Sequence, residues 1–404
     1  MALCAPIQKL SPASSLSNGN NTTPRRTRKN ETMLVRMTAS SDVGSVRGGT
    51  AGTTQMGWRD TSLSSCCSSH FLQAHLHSSS SLALDKFLSG FLFHFSSISA
   101  EKNNIPWREM SEEILESDVY KEMESVQNPS TVYPDYYLSP FHAYDEGNLS
   151  WLAAAEAEAA DLSMTRRAIP FASSVDEANR IMRGTWLEII KQHHQQYSGE
   201  IRDILDIGCS VGVSTGFLAH YFHSAKVTGL DLSPYFLAVA QYKEKRGTPR
   251  KNPISWIHAN GEDTGLPSKS YDLISFSYVL HECPERAIIG LLREAFRLLR
   301  HGGTIALNDI APKSKTLQEL SPVLFTLMKS TEPFLDEYSL TDLEGRMKEV
   351  GFVNIKSVLT DPRHRTVTAS VPHTNKSMFT LHSAAYSIFC EVVLVCDCIL
   401  YNSL

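Results

Sequence analysis

From Ile201 onward, short apolar runs alternate with longer amphipathic stretches, the pattern of strands and helices in turn. The apolar runs predict strands over 204–207, 227–230, 254–258, 273–276 and 304–307. The stretches between them predict helices over 214–220, 234–245 and 285–299, with Gly302 and Gly303 standing where a helix C-terminus favours glycine. A further helix follows Thr341, whose spacing to Glu344 spells a capping box, and stops at Gly351. Two more strands, over 353–358 and 366–369, flank the turn-rich "TDPRHR". So short a connection makes that pair antiparallel, because a parallel pair needs a long crossover. The alternation predicts an α/β fold, a doubly wound seven-stranded sheet with an antiparallel C-terminal strand.

Ahead of the sheet the pattern changes. "WREMSEEILESDVYKEMESV" is charged and helical, and "NPSTVYPDYYLSPFHAYDEG" is an aromatic loop punctuated by prolines. Asn148 is the expected cap of "LSWLAAAEAEAADLSMTRRA", an alanine-rich helix whose basic last turn suits the macrodipole. A second helix opens at Ser174, with Glu177 completing a capping box, and runs to about His194. His193 and His194, at its end, are expected to be solvated. These helices form an N-terminal cap over the sheet. Residues 106–172 are accordingly read as an extension, 173–371 as the main domain and 372–404 as a tail.

Composition separates the first hundred residues from the rest. They hold four acidic residues (Glu31, Asp42, Asp60, Asp85), many serines and the basic knot "PRRTRKN". Acid-poor, serine-rich and arginine-bearing describes an organelle transit peptide, expected over 1–60, with a low-complexity segment over 61–105. The first twenty residues carry one basic residue, Lys9, which favours a plastid over a mitochondrion. A disordered N-terminus without an address is the alternative.

The net charge of −5 gives no reason to expect nucleic acid as a partner. The eight cysteines form neither a CxxC pair nor a ladder with histidines, so reduced thiols are expected, with no disulfide framework and no metal. The apolar stretch of the tail is too short for a bilayer and carries Glu391 and Asp397, so no transmembrane segment is expected. Nothing in the sequence sets an oligomeric state.

"DILDIGCSVGVSTGFLAHYF" is a strand, a small-residue turn and a helix. A dinucleotide loop needs G-x-G-x-x-G to cradle a pyrophosphate. Here the glycines fall at 208, 212 and 216, with Ser210 and Val213 at the other glycine positions. The loop instead fits D-x-G-x-(G/S)-x-G from Asp206, and a carboxylate beside it favours a cation over a phosphate.

With these residues the sequence resembles the class I S-adenosylmethionine-dependent methyltransferases, and within them the type 11 branch that includes quinone-biosynthesis C-methyltransferases. "DILDIGCSVG", "VTGLDLSP", "HANGEDTGLPSKSYDLISFSYVLHE" and "LLRHGGTIALND" match the family's motifs in order, over roughly 203–371. The resemblance implies a Rossmann-like fold, S-adenosyl-L-methionine as cofactor and a small-molecule methyl acceptor. It carries cofactor-binding roles to Asp206, Gly208, Cys209, Ser210, Gly212, Asp231, Leu232, Asn260, Gly261, Glu262, Ser277 and Tyr278.

Each motif has a physical reason. Gly208 and Gly212 let the backbone lie against a ligand. Asp231 ends a strand, where a carboxylate can accept from both ribose hydroxyls; capping the helix at Pro234 is its other reading. Asn260, the Gly261 amide and Glu262 are expected at the adenine edge, or else form a merely polar loop. Ser277 and Tyr278 leave the fourth strand at the switch point.

A sulfonium methyl is already activated, so the chemistry asks for alignment and exclusion of water, and for a base if the acceptor is acidic. His281 is the expected base and Tyr338 an expected acceptor-pocket residue; structural packing is the alternative for both. "SFSYVLHE" lacks the N/D-P-P-Y/F motif of adenine amino-methyltransferases, which counts against nucleic-acid bases. Quinone-like rings, other phenols, sterols and lipids all remain open as acceptors. A catalytically idle cofactor-binding or assembly protein on the same fold is the rival reading, and a nicotinamide oxidoreductase the third.

Overall fold

The computed structural model describes residues 97–142 and 144–373. The expected transit segment, the low-complexity segment up to residue 96 and the tail from 374 lie outside the described residues.

Seven strands form one sheet: β1 Asp203–Ile207, β2 Lys226–Asp231, β3 Ser255–His258, β4 Tyr271–Ser277, β5 Leu299–Ile310, β6 Val353–Leu359 and β7 His364–Ser370. Their order is β3-β2-β1-β4-β5-β7-β6. The first five are parallel, and β7 runs antiparallel to both β5 and β6. This is the doubly wound sheet with an antiparallel C-terminal strand that the sequence predicts.

The longer helices are α1 Trp107–Leu115, α2 Trp151–Ala168, α3 Val175–Tyr197, α4 Val213–Tyr221, α5 Pro234–Arg246, α6 Glu285–Leu298, α7 Pro322–Thr331, α8 Leu335–Leu340 and α9 Leu343–Val350. Successive strand residues point to opposite faces, and each face takes its own helices. Leu205, Ile207, Ile274, Phe276, Ile305 and Leu307 share a cluster with Ile288, Leu291, Leu292 and Leu298 of α6 and Met347 of α9. Ile204, Leu273 and Ala306 face the other way, onto Trp186, Leu187 and Ile190 of α3 and Leu218 of α4. Each large side chain buried this way contributes about 1.5–3 kcal/mol. Changing the parity of one strand would exchange its two faces, so the hydrophobic alternation fixes the register. Among the described residues, no helix is long and apolar enough to cross a membrane.

Several local expectations need correction. Ser150, not Asn148, caps α2, accepting from the Ala153 amide. Asp342, not Thr341, caps α9, accepting from the Gly345 amide, while Thr341 turns its hydroxyl back to the Glu337 carbonyl. Ser174 caps α3 as expected, but the Glu177 carboxylate reaches Ser173 instead of closing the box on Ser174. Gly302 and Gly303 do not close a helix. They lie inside β5, where Gly302 (φ +79°) donates to the Val371 carbonyl and Gly303 accepts from the Val371 amide. The charged helix also breaks after Leu115, because Ser117 accepts from the Val119 amide and starts a short 3₁₀ turn, Asp118–Glu122.

His193 and His194 are not solvated. His193 lies between Thr368 (2.9 Å) and Ser370 (3.0 Å) of β7, and His194 meets Thr304 (2.9 Å) of β5. Burial pushes His193 down to about 4, with His194 and Lys356 adding to the shift, so both rings pack neutral between α3 and the sheet.

The N-terminal extension shares a core with the sheet's ligand loop. Ile114, Val119 and Ala153 to Ala155 pack with Val211, Phe236 and Val239. The proline-rich segment between α1 and α2 is fastened at the end of β3. There the Asn128 amide donates to His258 Nδ1 (2.9 Å) and Thr131 donates to the His258 carbonyl (3.1 Å). Tyr133 Oη lies 3.1 Å from His258 Nε2, which also meets the Leu232 carbonyl at 2.9 Å.

Candidate active site

β1 and β4 are neighbours, yet the chain leaves them for opposite sides of the sheet, so a crevice opens at their carboxyl ends. A cavity of about 780 Å³ lies there, within the range of small-molecule sites.

The loop after β1 is bent by backbone geometry. Gly208 (φ +71°) and Gly212 (φ +83°) occupy the left-handed region. A Cβ at Gly208 would stand 2.5 Å from Val279, and one at Gly212 would stand 2.5 Å from the Trp256 ring. The glycines are therefore required by close packing against the protein itself, not only by the approach of a ligand. The Gly208 and Cys209 amides donate to the Leu230 carbonyl (2.8 and 3.1 Å), which ties the loop to β2. Ser210, also at positive φ (49°), points its amide at Asp231.

Of Asp206 and Asp231, it is Asp231 that faces the cavity. It accepts from the Ser210 (2.7 Å) and Ser233 (2.8 Å) amides, and the Tyr137 hydroxyl also bonds to it. Burial pushes it up to about 6 against those hydrogen bonds. It is not the helix cap: Ser233 caps α5, with Pro234 at its first turn. Asp206 lies beneath the loop instead, buried and held by Thr215 (2.6 Å). Burial raises it to about 6 as well, opposed by the hydroxyls of Thr215 and Ser275.

Of the residues expected to bind a cofactor, Gly208, Cys209, Ser210, Asp231, Leu232, Asn260, Gly261, Ser277 and Tyr278 all line this cavity. Asp206 and Gly212 support the loop from outside the wall. Glu262 is also outside it, because its carboxylate accepts from Tyr136 Oη (2.9 Å). Asn260 spends its carbonyl on the Glu262 amide (2.9 Å), which closes the turn and leaves its amino group for other partners. Ser277 meets Ser214 across the loop (3.2 Å), and Tyr278, at φ +62°, donates to Met182. Cys209 and Cys283 are free, and burial raises both thiols well above their ordinary range, so neither is a nucleophile.

His281 lines the cavity, with its Nδ1 2.6 Å from Asp309. Burial works against its charge, but Asp309, Glu332 and Glu282 outweigh burial and hold the ring at about 10. These carboxylates favour its protonated form, which suits a proton donor better than a base. Tyr338 is not in the wall: it is 2% exposed and donates to the Ile310 carbonyl (2.8 Å), in the core behind His281.

The sequence reading names none of Tyr136, Tyr137, His142, Glu282 and Glu332 individually, although the aromatic segment over 133–151 is one whose composition suits it to lie over a pocket or to pack α2 onto the sheet. The first three belong to the proline-punctuated aromatic segment, whose residues Tyr137, Phe141 and His142 line the cavity. That composition was the available signal; no spacing pointed to Glu332. Another part of the wall is apolar, with Leu317, Leu320, Leu324 and Met328 from the region around α7.

The residues present fit an adenosyl-sulfonium ligand. The loop over 208–214 carries no basic residue for a pyrophosphate, a carboxylate stands beside it, and its close-packed glycines leave no room for side chains. Residues 204–303 match the family described as "Methyltransferase domain". The chain is 31% identical over 168 residues to a demethylmenaquinone methyltransferase of Tropheryma whipplei, covering 38% of this chain and 66% of that protein. It is 28% identical over 141 residues to the mitochondrial 2-methoxy-6-polyprenyl-1,4-benzoquinol methylase of Caenorhabditis elegans, covering 34% and 47%. An uncharacterized methyltransferase of Synechocystis matches at 28% over 156 residues, covering 39% and 69%. The chain thus spans just under two thirds of the first of these relatives and about half of the second. The strands and loops over 204–303 thus match a methyltransferase domain, a match that supports S-adenosylmethionine as the cofactor.

Proposed function

We propose that the chain transfers the methyl group of S-adenosylmethionine to a small quinol-like, phenolic or lipid acceptor. The observation that carries this reading is one cavity lined by two unlike sets of residues. One part of the wall is the loop over 208–214 with Asp231, Asn260 and Gly261; another is apolar and aromatic, with Phe141, Leu320 and Met328. Asp231, Asn260 and Gly261 would hold the adenosyl part, and the bound cofactor supplies a methyl group already activated on sulfur. What the protein adds is alignment and a dry cavity. Tyr136, Tyr137, Phe141 and His142 belong to the segment fastened by His258, and that segment supplies the cover. The relatives that act on quinones support a ring acceptor for this cavity. Within the same reading, the acid-poor N-terminus directs import into plastids.

Calorimetric titration of the full chain is the test. S-adenosylmethionine and S-adenosylhomocysteine should bind and NAD should not; binding of NAD without adenosyl-ligand heat would refute the proposal. Mass spectrometry of plastid metabolites after loss of the gene identifies the acceptor as the species that accumulates.

A further inference from the structure

Three elements distant in sequence bring five ionisable side chains together beside the loop after β4. His281 Nδ1 pairs with Asp309 at the end of β5 (2.6 Å), and its Nε2 lies 3.9 Å from Glu332, at the end of α7. The other Glu332 oxygen binds His142 of the aromatic segment (2.8 Å), whose Nε2 is also 3.9 Å from Glu282. His142, His281, Glu282 and Glu332 line the cavity, while Asp309 stands behind them, bonded to the Leu280 and Ile310 amides.

Charge counting assigns the roles. Two imidazoles face three carboxylates. His281 is matched by Asp309 and His142 by Glu332, each at hydrogen-bond distance. Glu282 is the surplus acid. Among the described residues no hydrogen bond ends on its carboxylate, whose side chain is 26% exposed at the cavity wall. A carboxylate left over from a matched set, open to the space where an acceptor sits, is free to take a proton.

We infer that Glu282, and not His281, is the catalytic base for an acceptor bearing an ionisable ring hydroxyl. This rests on the methyltransferase reading above. The acceptor's O–H bond breaks and its proton passes to a Glu282 oxygen. The electron pair so released forms the bond to the methyl carbon, at oxygen or through the ring at carbon. The pair of the methyl–sulfur bond stays on sulfur. One positive charge is lost at sulfur and one proton is gained at Glu282, so the step balances without any other reactant. The imidazolium of His281, locked by Asp309, lies beside the oxygen that becomes negative and stabilises it.

The groups facing Glu282 agree with the assignment. Burial raises its carboxyl above the usual range; His142 and His281 oppose the rise, and Glu332 and Asp309 add to it. Tyr137 and Cys283 also face it, but burial keeps both protonated. A carboxyl raised in this way holds a proton far better than a solvated one.

The test compares two acceptors on the full chain and on Glu282→Gln. One is a hydroquinone with a short alkyl chain, whose hydroxyl must lose its proton. The other is the same ring carrying a nitro group, already ionised at the assay pH. Glu282→Gln should lose about 100-fold or more in kcat on the first ring and stay within about threefold on the second. Wild type should also show a pH-rate limb on the first ring that the variant lacks. S-adenosylhomocysteine affinity and the unfolding midpoint of the variant, measured alongside, should be unchanged. Equal loss on both rings, no loss on either, or turnover of neither ring by wild type with the adenosyl ligand bound would overturn the inference. Absence of adenosyl-ligand binding by wild type would instead remove the methyltransferase reading beneath it.

Discussion

Replacing Gly208 by alanine tests whether the loop after β1 is shaped by the protein's own packing. The residue sits at φ +71°, where an L side chain costs about 1–2 kcal/mol. Its new Cβ would also stand 2.5 Å from Val279 Cγ2 and 3.1 Å from Cγ1, well inside contact distance. Overpacking of this kind costs about 1–3 kcal/mol more. Val279→Ala removes both offending carbons, at about 1 kcal/mol for two half-buried methyl groups. The double variant should therefore be more stable than the sum of the singles by about 1–3 kcal/mol, and what remains is the dihedral cost. Urea unfolding of the four full-length proteins measures this coupling, provided the transition slopes agree. Additivity within about 0.5 kcal/mol would show that Val279 does not set the glycine requirement, and the packing argument would fall.

Two further outcomes follow from buried groups. His193 is held near 4 in the folded protein against about 6.5 unfolded, so the unfolded chain binds more protons between those values. Its contribution is present above about pH 6.5 and is lost as pH falls toward 4, by about 3 kcal/mol in all. Asp206 and Asp231, raised to about 6, work in the opposite direction over the same range, so the measurement is wild type against His193→Gln. The stability difference between the two proteins should shift toward the variant as pH falls, and a flat difference would refute the buried neutral ring. Tyr338→Phe removes the bond to the Ile310 carbonyl and should cost about 1 kcal/mol of stability. Turnover should be unaffected, whereas a raised acceptor KM would return Tyr338 to the pocket.

Much of the fold was legible because it follows from local alternation. Ile204 and Leu205, or Leu273 and Ile274, differ only in parity, and that difference sends one to α3 and the other to α6. The spacing of Gly208 and Gly212 likewise announced a loop whose dihedrals only glycine adopts easily. Caps were legible only to within a residue or two. Asn148 and Ser150, or Thr341 and Asp342, are both able to cap, and the direction in which the chain enters the helix chose between them. What the sequence could not contain was partnership across long separations. His193 and His194 are neutral because burial against the sheet disfavours their charged forms, and the hydroxyls that meet them there come from more than a hundred residues away. His281 is charged because Asp309 arrives from the next strand, and Glu332 reaches His142 from 190 residues away. Charge state depends on distance in space and on exclusion of water. The sequence therefore set the sheet and the ligand loop, and the tertiary structure alone decided which acid and which imidazole are free to act.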